Sequence, residues 1–160
     1  METPRLKLRG HGVDDFPACA ALWGDSRVTR YIGGKPQTPE EAWARLLRYV
    51  GHWQLMGYGF WAIEEKASGK FVGELGFADF KRDIQPAIDV PEAGWVVATA
   101  AHGFGYATEA LQAALQWFGQ PTACIMHPEN SASRRVAEKC GYGNAEMVTY
   151  RGQPTILMRR

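Results

Sequence analysis

The stretch His102-Gly103-Phe104-Gly105-Tyr106-Ala107-Thr108-Glu109-Ala110 decides how this chain is read. Two glycines lead straight into a helical pattern. Ala107, Ala110, Leu111, Ala114, Leu115 and Phe118 recur at three- and four-residue spacing, as one buried helix face does. Ahead of the loop, the apolar run Trp95-Val96-Val97 reads as a strand. A strand, a bare loop and a helix start together make a site for anionic oxygen. The first-turn N–H groups lack intrahelical acceptors, and the helix dipole adds partial positive charge. Gly103 and Gly105 let the main chain come close with no Cβ in the way.

Two phosphate loops are excluded. A dinucleotide fingerprint needs a third glycine where Thr108 stands, and a P-loop ends in Gly-Lys-Ser/Thr, a triplet absent here. His102-x-x-Gly105-x-Ala107 instead resembles the acyl-CoA loop of the GNAT acetyltransferase superfamily, Arg/Gln-x-x-Gly-x-Gly/Ala, with His in the first place. A second segment, Asn130-Ser131-Ala132-Ser133 followed by Glu138-Lys139-Cys140-Gly141-Tyr142, resembles that superfamily's Asn-x-x-Ser helix and its Glu-Lys-x-Gly-aromatic ending. Arg5-Leu6-Lys7-Leu8-Arg9, Gly69 to Phe77, and Tyr106-Ala107-Thr108-Glu109-Ala110 are similar to the RimJ/RimL-type branch, so the likeness runs over nearly the whole chain in order.

Composition sets the outer limits. At 160 residues, with 46% hydrophobic and 22% charged residues, the chain is expected to form one globular domain, 1–160. A net charge of +1 and no lysine/arginine block argue against nucleic acid. No apolar run approaches the roughly 20 residues that span a bilayer. Met1-Glu2-Thr3-Pro4 opens without an apolar leader, so a cytoplasmic protein is expected, monomeric or homodimeric. Cys19, Cys124 and Cys140 read as reduced, buried thiols; only Cys124, three residues before His127, has a polarising neighbour. His11, His52, His102 and His127 are scattered, and no metal site is expected.

Along the chain, Leu6–Arg9 reads as a strand and Asp14-Asp15 as the cap of a helix through Trp23. Thr38-Pro39-Glu40-Glu41 is a capping box opening a helix with Ala42, Leu46, Tyr49, Val50 and Trp53 on one side, stopped by Gly57 and Gly59. Residues 60–64 and 70–80 make a hairpin, 81–91 a mobile loop, and 93–98 the strand feeding the glycine loop. A strand at 122–126, a helix at 132–139 ended by Gly141, and a closing hairpin around Arg151-Gly152 complete the order β-α-α-β-β-β-α-β-α-β-β. This is an α/β (α+β) layer pattern, and the resemblance implies the GNAT fold: a mixed, mostly antiparallel central sheet flanked by helices.

The resemblance also implies a chemistry: transfer of an acetyl group from acetyl-CoA to a primary amine, either a protein N-terminus or a small molecule, by direct attack on the thioester. Gly103, Phe104, Gly105, Tyr106, Ala107 and Thr108, with His102, would hold the pyrophosphate. Trp95, Val96 and Val97 would pair their backbone with the pantetheine arm, an N–H near Val97 polarising the carbonyl. Asn130 would bond the arm or its thioester end, or form a turn before the helix. Ser133 would assist the leaving thiolate or cap that helix. Arg135, with Arg134 and Lys139, would meet the 3′-phosphate or line a solvated face. An alkylamine of pKa roughly 10.4 must lose a proton before attack. Glu92 leads the candidates for that base, with Asp89, Glu74 and His127 as rivals. Tyr31, Trp53 and residues 81–91 are expected near the acceptor. Many members carry a tyrosine acid where this chain has Ala137. That absence, with His102, keeps a second reading open: an acyl-CoA-binding sensor with little or no turnover.

Overall fold

A seven-stranded sheet in the order β1-β2-β3-β4-β5-β7-β6 carries the chain, with β4 at its centre. The structure is a computed structural model describing all residues, Met1–Arg160. Its elements are β1 (Leu6–Arg9), a 3-10 turn (Val13–Asp15), α1 (Phe16–Gly24), α2 (Ser26–Thr29), α3 (Pro39–Met56), β2 (Phe60–Glu65), β3 (Phe71–Ala78), β4 (Glu92–Val97), a 3-10 turn (Thr99–Ala101), α4 (Tyr106–Phe118), β5 (Ala123–Met126), α5 (Ser131–Lys139), β6 (Gly143–Tyr150) and β7 (Gln153–Arg159). The expected order of strands and α-helices holds with one added helix, and two 3-10 turns join it. α2 is a single turn of four residues, too short to show a helical period.

Local chemistry explains most boundaries. Glu41 N–H donates to Thr38 Oγ1 at 3.2 Å and Thr38 N–H to Glu41 Oε2 at 2.8 Å, the expected capping box of α3. Gly57 at φ 71° ends that helix. Asp15 behaves differently from expectation. Its carboxylate accepts the Gly12 N–H at 2.8 Å and the Arg9 fork at 2.7 and 2.8 Å, so it serves the 3-10 turn and makes no cap bond to α1. A guanidinium fork within reach binds a carboxylate more strongly than a first-turn amide does.

The two sheet faces have different covers. Leu75 and Phe77 of β3 lie in one buried cluster with Ala110, Leu111, Ala114 and Leu115 of α4. On the opposite face, Val96 packs with Leu22 and Trp23 of α1 and Ala42 of α3, and Tyr49 stacks on Phe60 at 4.4 Å. Gly76 sits where β2 and β3 come close: a Cβ there would lie 2.2 Å from the Gly59 carbonyl oxygen.

All strand pairs are antiparallel except β4 with β5, which is parallel and limited to Glu92↔Ala123. Beyond that rung the two strands part. The segment 81–91, expected to be mobile, is pinned instead. Ile84 is buried, Gln85 bridges to Thr149, and Arg82 binds Glu92 and the Tyr150 hydroxyl.

Candidate active site

The opening between β4 and β5 follows from ladder polarity. Ala123 N–H donates to the Pro91 carbonyl across it, while Ala98 N–H donates to Val72 on the β3 side. Edges alternate along a strand, so the N–H groups of Trp95 and Val97 face the opening, where β5 offers no further rungs. The backbone groups of Val96 face β3 instead, so of the three expected residues only Trp95 and Val97 can present amides there.

At the same end of β4 the chain turns through Thr99–Ala101 into the glycine loop. Gly103 and Gly105 have φ of 84° and 81°, backbone that favours glycine. Gly105 is the N-cap of α4 and provides no side-chain cap. None of the N–H groups of residues 103–108 donates within the chain. His102 Nε2 lies 2.9 Å from the Val97 carbonyl oxygen, so the imidazole ties the loop to the end of β4. Phe104 is exposed. Tyr106 is buried with its hydroxyl on Glu65, so it can offer a ligand only its amide.

The loop is braced from behind by Thr3, Arg5 and Glu109, a role the sequence did not suggest. Glu109, in the first turn of α4, accepts from Thr3 Oγ1 at 2.6 Å, Arg5 N–H at 3.0 Å and Arg5 Nε at 2.7 Å. Arg5 Nη1 also donates to the Phe104 carbonyl at 2.8 Å. Partial burial pushes the Glu109 carboxyl up, yet the Thr3 and Arg5 hydrogen bonds outweigh it and hold the group below its usual range. A carboxylate near the N-terminus of α4 also suits the helix dipole.

At the start of α5, Asn130 is the N-cap: its Oδ1 accepts the Ser133 N–H at 3.1 Å, leaving its amide N–H₂ free. Ser133 is therefore not the cap, and its hydroxyl makes no hydrogen bond within the chain. Arg134 pairs with Glu138 at 2.9 Å, while Arg135 and Lys139 are exposed and form no ion pair. These two remain available to a phosphate.

The candidate bases fare unequally. Glu92 is buried, and Arg82 grips both of its oxygens. Burial pushes its carboxyl above the usual range while the guanidinium pulls the other way. Glu74 is buried, with Trp23 Nε1 donating to its Oε2 at 2.8 Å. Asp89 is exposed and unpaired. His127 Nδ1 accepts the Glu129 N–H at 3.2 Å, so the neutral ring carries its proton on Nε2 and presents a donor. Tyr31, following α2, stacks on His127 at 5.3 Å, which brings the helical side to the wide end of the opening. Trp53 packs on Trp61 and Trp117 at 5.0 and 5.8 Å, inside an aromatic cluster rather than at the cleft.

The thiols are free and buried. Burial pushes Cys140 up to about 11 and raises Cys19 and Cys124 further, so none is poised as a nucleophile.

A parted strand pair, an uncapped glycine-led helix and an asparagine-capped helix opposite it are the parts of a GNAT acetyltransferase fold. The model for the Acetyltransferase (GNAT) domain matches residues 5–143, and the chain belongs to that family. Bacillus subtilis YkkB is 30% identical over 100% of this chain and 94% of its own length. Among solved structures, a Bordetella pertussis protein described as of the GNAT acetyltransferase family is 31% identical, covering 100% of this chain and 98% of the other, with a TM-score of 0.86. An Agrobacterium tumefaciens acetyltransferase is 25% identical, covering 100% and 92%, with a TM-score of 0.85.

Proposed function

We propose that this protein transfers an acetyl group from acetyl-CoA to a primary amine, on a protein N-terminus or a small molecule. The observation that carries the reading is the run of unengaged N–H groups at 103–108, continuous with the Trp95 and Val97 amides facing the β4–β5 opening. A diphosphate suits the former and an amide-bearing arm the latter. RimL, a ribosomal L7/L12 α-N-acetyltransferase solved with coenzyme A, shares the fold at a TM-score of 0.79 and 17% identity, which supports the RimJ/RimL-type branch as the model for the acceptor.

In this mechanism the amine attacks the thioester carbon directly. The C–S bond breaks, the thiolate leaves as CoA thiol after gaining a proton, and the amine proton passes to a base or to water. Val97 N–H stands at the opening as the donor to the developing oxyanion. Ser133, with its unengaged hydroxyl, and the Asn130 amide are the groups assigned to the leaving sulfur. Glu92 acts as base only if Arg82 lets go of one oxygen; general base help is worth about 10²–10⁴ in rate. The chain would work in the cytoplasm, where thiols stay reduced.

The grip of Arg82 on Glu92 also favours one alternative, an acyl-CoA-binding sensor with little turnover. Release of free thiol over a panel of N-terminal peptides and small amines separates the two. The transferase reading expects acceptor-dependent release that falls in Glu92→Gln and Ser133→Ala. Measurable acetyl-CoA affinity with no release for any amine would establish the sensor instead.

A further inference from the structure

We propose that His11, Cys19 and Glu74 bind one divalent cation of the zinc class, on the sheet face opposite α4. This inference does not rest on the acyl-transfer reading. The three residues come from separate elements: the loop after β1, helix α1, and strand β3. Folding brings one donor atom of each within 4.8 Å of the others. The His11 and Glu74 side chains are 0% and 1% exposed, and Cys19 is 1% exposed.

The cluster has unmet bonding capacity. Neither ring nitrogen of His11 has a hydrogen-bond partner, and neither does Glu74 Oε1, although His11 Nε2 lies 3.4 Å from it. Buried polar atoms are ordinarily satisfied, so three orphans in one place point to something that joins them. The nearby cations are occupied elsewhere. Arg9 holds Asp15 and Glu64, and Arg45 lies over the Trp23 ring at 3.7 Å. The other Glu74 oxygen takes the Trp23 indole N–H, which orients the carboxylate with Oε1 towards His11, as outer-shell donors do at metal centres.

The donor set selects the ion. One imidazole nitrogen, one sulfur and one carboxylate oxygen suit zinc and its neighbours, whereas magnesium and calcium prefer oxygen throughout. Metal–ligand bonds of about 2.0–2.3 Å put tetrahedral donors roughly 3.3–3.7 Å apart, so side-chain rotations of about 1 Å close the site. On binding, the Cys19 S–H bond breaks, its electron pair forms the sulfur–metal bond, and the proton leaves to solvent. No electron is transferred. Thiolate and carboxylate then cancel the charge of the ion, which removes the main objection to burying it. Burial holds the free thiol protonated, so the ion must displace that proton. The ion would pin α1 and the loop after β1 to β3, with Glu74 directly across from Val96.

The test uses chelator-dialysed full-length protein titrated with Co²⁺, followed by Zn²⁺. A sulfur-to-cobalt charge-transfer band saturating at one equivalent, displaced by Zn²⁺ and accompanied by proton release, is the expected result. The band should survive in the Cys124→Ser/Cys140→Ser double variant, vanish in Cys19→Ser, and need at least tenfold more Co²⁺ in His11→Gln. As a check that needs no variant, Zn²⁺ should protect Cys19, and neither other thiol, from slow alkylation mapped by mass spectrometry. Absence of the band in the unvaried protein, its persistence in Cys19→Ser, or alkylation of Cys19 unaffected by Zn²⁺ would each overturn the proposal.

Discussion

Arg82 and Glu92, ten residues apart, form a two-point ion pair beside the single rung that joins β4 to β5, with Arg82 Nη2 at 2.7 Å from Glu92 Oε1. The arginine also donates to the Tyr150 hydroxyl at 3.0 Å. It therefore ties the segment after β3, the first residue of β4 and the last residue of β6 together.

Removing either charge strands the other. Glu92→Gln keeps the shape but leaves a mostly buried guanidinium without a counter-charge, so unfolding free energy should fall by about 2–3 kcal/mol. Arg82→Met/Glu92→Gln should recover at least half of that loss. Urea titrations of the single and double variants measure it. Strictly additive losses would show that the pair is not coupled.

Asn130 carries two separable duties. Asn130→Asp preserves the oxygen that caps α5 and deletes the free N–H₂, so stability should hold within about 0.5 kcal/mol while KM for acetyl-CoA rises. Asn130→Ala should raise KM similarly and also cost about 1 kcal/mol. If Asn130→Asp left KM untouched, the side chain would be a helix cap and nothing more.

The brace behind the glycine loop predicts an effect at a distance. Neither Arg5 nor Glu109 belongs to the run of free amides, yet Arg5→Ala releases the Phe104 carbonyl and Glu109→Gln weakens three hydrogen bonds. Each should raise KM for acetyl-CoA several-fold with kcat little changed, and cost about 1 kcal/mol in stability. Calorimetric titration with CoA gives the affinity directly, and wild-type affinity in both variants would refute the brace.

Acid should expose the Arg9–Asp15 pair. The Arg9 hydrogen bond holds the Asp15 carboxyl below 3.8, its ordinary value, with the Gly12 N–H adding to the effect and burial opposing it. A carboxyl depressed in the fold contributes stability above its unfolded value and loses it as pH falls through the folded value. Stability should therefore be flat near neutrality and decline below about pH 4, and Asp15→Asn should flatten part of that decline. Denaturation at pH 7, 4, 3 and 2 would read this out; parallel curves for the two proteins would exclude the pair as a source.

What the sequence disclosed was local. The α4 face, the Thr38–Glu41 box and the Arg151-Gly152 turn each depend on residues a few positions apart, and periodicity or turn chemistry marks them. Arg151 and Gly152, at φ 50° and 74°, supply the two left-handed residues a tight hairpin needs. Relationships made by packing helices on the sheet stay hidden in the sequence. Arg5 meets Glu109 across 104 residues, and Glu74 meets Trp23 across 51. Spacing keeps His11, Cys19 and Glu74 apart because each lies on a different element, and the register of β1, β2 and β3 together with the packing of α1 on the sheet assembles them. Asp15 reads as a cap of α1 in the sequence because nothing nearby announces that Arg9 reaches it.

The lone rung between Glu92 and Ala123 leaves the sheet with a seam. A donor whose amides lie along Trp95 and Val97 would stitch that seam shut, and a ligand that favours only the folded state raises its stability. The unfolding temperature would then climb with the concentration of the donor, the two halves of the sheet being joined through the ligand rather than through each other.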